Sequence, residues 1–146
     1  MSRRLRYKKN MIPQEILEKE FATHEQALQL KQLGFNEVCI SVYSEKDELS
    51  PLQNMEVRNS NVPSYCTAPL RQQVFRWFRE KHDLVGFSLP YSQSDEPPFI
   101  YIIAIRSLVN NYDLSYDSVI GEEYTTHEDA ELACIDKLIE TIKNKE

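Results

Sequence analysis

Residues 99–105, Phe-Ile-Tyr-Ile-Ile-Ala-Ile, form the longest unbroken apolar run in the chain. Seven residues are too few for a membrane-spanning helix. Their β-branched, nearly continuous character suits a central strand buried on both faces. Just upstream, Val85, Phe87 and Leu89 alternate with Gly86 and Ser88, the period-two pattern of a half-buried strand. The connection from Ser92 to Pro98 is polar and proline-containing, so the two strands read as an antiparallel hairpin. Around that hairpin the remaining elements must find places.

Three segments carry helical periodicity. Leu70, Val74, Trp77, Phe78 and Lys81 fall at i, i+4, i+7, i+8 and i+11, and Phe75 widens the stripe. Pro69 sits near the start, where its missing N–H costs little. Thr23-His24-Glu25-Gln26 has the form of a capping box. Ala27, Leu28, Leu30 and Leu33 then supply an apolar face, and Gly34 is placed to end the helix in the left-handed conformation. The last helix opens at Thr126-His127-Glu128-Asp129 and runs to about Lys143, with Ala130, Cys134, Leu138 and Ile142 on one stripe. Its acids lie in the first turn and its lysines toward the end, as the helix dipole favours. Ile12 to Glu20, with Pro13 near its start, reads as a short helix or an extended lead-in.

Elsewhere the pattern is weaker. Val38 to Tyr43 alternates, which predicts a strand with Val38, Ile40 and Val42 on one face. Residues 44–69 follow with three prolines, four serines and three asparagines and no sustained period, and they read as a long irregular loop. Tyr116 to Tyr124 is a further strand candidate, interrupted by Gly121. Phe21-Ala-Thr-His-Glu-Gln-Ala27 and Tyr124-Thr-Thr-His-Glu-Asp-Ala130 echo each other. Capping chemistry alone selects Thr at a helix start with an acid or amide three residues on. The expected fold is α+β: a single domain over residues 11–146, with an antiparallel sheet of three to four strands and two to three helices packed on one face.

The net charge of −6 conceals an asymmetry, because Arg3, Arg4, Arg6, Lys8 and Lys9 make a +5 arm within residues 1–10 and leave −11 on the body. The arm has no apolar h-region, so it does not read as a secretory signal. An acidic body repels nucleic acid, whose binding draws its free energy from neutralised phosphates. The arm alone, through Arg3, Arg4, Arg6, Lys8 and Lys9, supplies a nucleic-acid-binding alternative; its plainer reading is a solvated tail.

Residue types at particular spacings argue against most site chemistries. Three glycines cannot make a glycine-rich phosphate loop, and Cys39, Cys66 and Cys134 are too scattered for a zinc ribbon. Cys39 and Cys134 lie in apolar stretches and read as small buried hydrophobes; Cys66, in the long loop, is the one thiol placed for reactivity. Each histidine precedes an acid, as His24-Glu25, His82-Asp83 and His127-Glu128, but neighbours on a helix point about 100° apart. Only His127 and Glu131, at i and i+4, converge. No acidic run has the spacing of a calcium loop. We therefore expect no catalytic residue, no metal and no cofactor, and a protein that acts by binding another protein without crossing a membrane. The candidate partner-binding residues are Tyr65, Tyr91, Tyr112 and Tyr116, which sit at strand ends or in loops beside Ser, Asn and Asp, a mix that interfaces use.

Thr23 to Cys39, Ala68-Pro69 leading to Phe75-Arg-Trp-Phe-Arg-Glu-Lys-His82, and Tyr124 to Leu138 together resemble a family of small uncharacterised proteins from Bacteroidetes and their phages or mobile elements. The resemblance covers the three helices, somewhat under half of the chain. It implies a phage or bacterial cytoplasmic context, in which we expect a non-enzymatic phage or mobile-element accessory protein. It carries over no catalytic residue.

Overall fold

The computed structural model describes residues 13–52, 56–62, 64–91, 100–108 and 118–145, with side chains throughout except at 118–121. In chain order the elements are α1 (Gln14–Glu20), α2 (His24–Gln32), β1 (Ser41–Tyr43), β2 (Leu49–Pro51), a 3₁₀ turn (Asn59–Asn61), β3 (Cys66–Thr67), α3 (Arg71–His82), β4 (Leu84–Tyr91), β5 (Ile100–Ser107), β6 (Ser118–Tyr124) and α4 (His127–Lys143). The class is α+β in a single domain. The six strands divide into two antiparallel sheets of three, ordered β2-β1-β3 and β4-β5-β6, rather than forming one.

Both echoed helix starts fold as capping chemistry dictates. Thr23 accepts the Gln26 amide N–H while the Gln26 side chain accepts the Thr23 N–H, completing the box. Thr126 accepts the Asp129 N–H in the same way. Gly34, with φ of +89°, follows α2 as its left-handed C′ residue. The buried Gln26 amide then spans to α4, donating to the Leu132 carbonyl at 2.9 Å and the Asp136 carboxylate at 2.8 Å.

The larger sheet contains the expected hairpin, with Leu84 opposite Ser107 and Tyr91 opposite Ile100. Its register reverses one expectation. The face toward the helices is carried by Leu84, Gly86 and Ser88, paired with Ser107, Ile105 and Ile103. Val85, Phe87 and Leu89 occupy the opposite face, and Leu89 is 38% exposed. The reason is steric: a Cβ at Gly86 would stand 2.7 Å from Leu138 Cδ1 and 2.8 Å from Cys134 Sγ. Only a residue without a side chain lets α4 approach the strand this closely. Val74, Trp77 and Phe78 of α3, Cys134, Ile135 and Leu138 of α4, and Ile103 and Ile105 of β5 fill the resulting core.

The smaller sheet builds a second cluster from Phe21, Ala27, Tyr43, Leu49, Cys66 and Ala68. Its outer strands come from within residues 44–69, so that segment is not the continuous loop its composition suggests. Ser44 N–H donates to the Glu48 carbonyl, closing a tight β1–β2 turn with Asp47 at φ of +64°. The side chain of buried Asn59 holds the rest, donating to the Phe35 carbonyl at 2.7 Å and accepting the Thr67 N–H at 3.0 Å. The expected Val38–Ile40–Val42 face is not observed. Cys39 and Ser41 are fully buried, whereas Ile40 is 53% exposed. Cys39 exchanges backbone hydrogen bonds with Val57, and this pairing sets the orientation of the strand. Among the described residues no helix is long and apolar enough to cross a membrane.

Candidate functional site

A cleft of about 800 Å³ opens where α1, the start of α2, the β1–β2 turn and the first turn of α4 meet. Glu15 and Glu18 line one wall, Glu128 and Asp129 another, and Asp47 overhangs from the turn. Lys19 and Arg71 are the cationic lining residues. Arg71 is 4% exposed and already committed: its guanidinium donates to the carbonyls of Phe21, Glu18 and Glu128 and to the Glu131 carboxylate, at 3.1–3.4 Å. The cleft thus gathers five carboxylates against the cations Lys19 and Arg71, together with Tyr43, Leu49 and Leu132.

Two contacts shape its rim. His24 Nδ1 lies 2.9 Å from Asp47 Oδ1, and its ring packs on Tyr43 at a centroid distance of 5.0 Å. The Tyr43 hydroxyl donates to the Ala22 carbonyl at 2.6 Å. Burial, with help from the Asp47 charge, pushes that phenol up to about 12, so it stays a neutral donor. The hydroxyl oxygens of Thr23 and Thr126, also in the lining, accept capping bonds.

The sequence candidates fare unevenly. Tyr65 is 39% exposed beside β3, over a shallow groove shared with Leu28 and Lys31, and Tyr91 is 43% exposed at the end of β4 in the other sheet. Neither lines the large cleft. Tyr112, Tyr116 and the basic residues Arg3, Arg4, Arg6, Lys8 and Lys9 lie outside the described residues. Cys66 is not the accessible thiol its loop position suggests. It is fully buried on β3, and burial pushes it up to about 11. Cys39 and Cys134 are equally buried. Among the described residues no three His, Cys, Asp or Glu side chains converge as a metal site requires. His127 and Glu131 do meet, at 3.4 Å.

Sequence reasoning missed the cleft because its lining residues come from six elements, α1, α2, β1, β2, α3 and α4, and from the β1–β2 turn. The acids were visible, but as unrelated surface charges. One usable signal was the echo itself: both capped helix starts, Thr23-His24 and Thr126-His127-Glu128-Asp129, contribute residues to the same cleft, with Glu128 and Asp129 supplying the acids of the second.

No protein-family model, curated protein or solved structure matches the chain.

Proposed function

We propose that the protein is a binding module whose acidic cleft takes a basic segment of a protein partner. The observation that carries this reading is the cleft's composition: five carboxylates gathered with Tyr43, Leu49 and Leu132, and its one buried cation committed internally. Such a concavity focuses negative potential and favours lysine- or arginine-containing chains whose aliphatic stems lie against those apolar side chains. Its volume suits a few side chains rather than a folded domain. The resemblance of the three helices to phage and mobile-element proteins supports placing this binding in the bacterial cytoplasm, as an accessory rather than a metabolic role.

Fluorescence anisotropy with a labelled Lys/Arg-rich decapeptide and an acidic control of equal length tests the reading. The basic peptide binds, more weakly as salt rises, and Glu15→Lys with Glu128→Lys weakens it at least tenfold. Equal binding of both peptides, or indifference to the two reversals, refutes it. The alternative use of Arg3, Arg4, Arg6, Lys8 and Lys9 on nucleic acid is separated by titrating duplex DNA and RNA against salt with and without residues 1–10; no binding at low salt removes it.

A further inference from the structure

Beyond the cleft, three side chains from two elements, Ser88, His127 and Glu131, lie in a row. Ser88 of β4 faces the helix layer, and its Oγ lies 2.8 Å from His127 Nδ1. His127 Nε2 lies 3.4 Å from Glu131 Oε1, one helical turn along α4. Glu131 is itself fixed: Arg71 Nη1 holds Oε2 at 3.4 Å and Gln72 Nε2 donates to Oε1 at 3.3 Å. The carboxylate is therefore mostly enclosed, 14% exposed, whereas the imidazole is 50% exposed and open to an incoming molecule. Tyr101 packs beside the ring at a centroid distance of 5.5 Å.

We propose that Ser88, His127 and Glu131 make Ser88 a nucleophile toward activated acyl esters, an activity separate from the cleft. The Glu131 carboxylate, 3.4 Å from Nε2, electrostatically favours the tautomer that keeps its proton on Nε2, leaving the Nδ1 lone pair toward Ser88 Oγ. Ser88 Oγ attacks the ester carbonyl carbon, forming the Oγ–C bond while its proton passes to Nδ1. Collapse breaks the bond to the leaving alkoxide, which departs as the alcohol with the proton from Nδ1. Water then attacks the acyl carbon, giving a proton to Nδ1, and the acid leaves as Ser88 recovers its hydrogen. Of the first-turn amides of α4, Asp129 N–H is used by Thr126 Oγ1 and Ala130 N–H by the Thr126 carbonyl. The His127 and Glu128 N–H groups precede the first intrahelical bond and are the nearest backbone donors in sequence to the base. Ser88 is the reacting residue and His127 its base, and Glu131 is a positioning residue.

Incubation of the full chain with a fluorophosphonate probe, read by intact and peptide mass spectrometry, tests this. The expected result is one adduct on Ser88, absent in Ser88→Ala. His127→Gln slows labelling at least tenfold without loss of far-UV dichroism. Glu131→Gln slows it less and moves the inflection of the rate–pH profile downward, which a purely structural contact would leave in place. With p-nitrophenyl acetate, p-nitrophenol appears in a burst that Ser88→Ala removes. No adduct on Ser88, or unchanged labelling in folded His127→Gln, overturns the proposal. Loss of peptide binding in Glu15→Lys alone, with Ser88 labelling intact, leaves it standing, so the two readings fail independently.

Discussion

Gly86 is the position where one added methyl group tests the packing most directly. In Gly86→Ala the new Cβ would sit 2.7 Å from Leu138 Cδ1, 2.8 Å from Cys134 Sγ and 3.2 Å from Leu138 Cγ. Comfortable carbon contacts lie at about 3.5–4.0 Å, so two atoms of a close-packed core must each yield by roughly 1 Å. Overpacking of this kind costs about 1–3 kcal/mol. Against it, alanine in place of glycine recovers about 0.5–1 kcal/mol of unfolded-state entropy. The net expectation is a loss of about 1–2 kcal/mol, read in urea as a midpoint lowered by about 0.5–1 M with unchanged slope. The sharper measurement is a double-mutant cycle. Leu138→Ala alone empties space at a fully buried site and costs about 2–5 kcal/mol. In the Gly86→Ala background the new methyl occupies part of that space, so the pair is more stable than the sum of the singles by about 1–2 kcal/mol. Additivity within about 0.5 kcal/mol, or a neutral Gly86→Ala, would refute the account of why α4 lies so close to β4.

Other expectations follow from single contacts. Asp47 holds a left-handed backbone at a turn position that favours glycine, and its side chain is 73% exposed. Asp47→Gly should therefore leave thermal stability equal or higher, by up to about 1 kcal/mol, while weakening basic-peptide binding in the anisotropy assay; a clear loss of stability would contradict it. Thr23→Ala removes the cap of α2 and should cost about 1 kcal/mol by urea denaturation. Burial raises Cys66 to about 11 and Cys134 to about 12 from an ordinary 9.0, and Tyr43 to about 12 from 10.0. Each raised acid contributes stability that is complete below its unfolded value and lost as pH rises through the folded one. Urea midpoints should accordingly fall from about pH 9 upward, and a flat alkaline profile would refute it. All three thiols should resist Ellman's reagent in the native protein and react on unfolding; rapid native modification of Cys66 would show that β3 is not where it is described.

The sequence was most readable where local period and burial agree. The α3 stripe of Val74, Trp77 and Phe78 and both threonine caps needed only short-range chemistry, and they appear as expected. The β4–β5 pairing was equally legible, but its facing was not, because a glycine supplies no hydropathy signal for the face it makes possible. The small sheet was illegible for another reason: strands of two or three residues have no measurable period, and β3 pairs with β1, Val42 opposite Thr67, from far along the chain. Of the candidate site, the convergence of His127 with Glu131 was readable from helical spacing. Ser88 was not, since only the tertiary fold sets β4 beside the first turn of α4.

The first helix has a mechanical consequence. No side chain of α1 is buried, and one guanidinium, that of Arg71, bonds to the carbonyls of Glu18 and Phe21 at its C-terminal end. The helix's one core contact is that of half-buried Leu17 on the smaller cluster, so α1 should open locally at less free energy than global unfolding. Local opening of α1 would move one wall of the acidic cleft without exposing the larger core. Amide exchange in residues 14–20 should outpace that of α3 and α4, and an arriving chain would find an entrance wider than its resting dimensions.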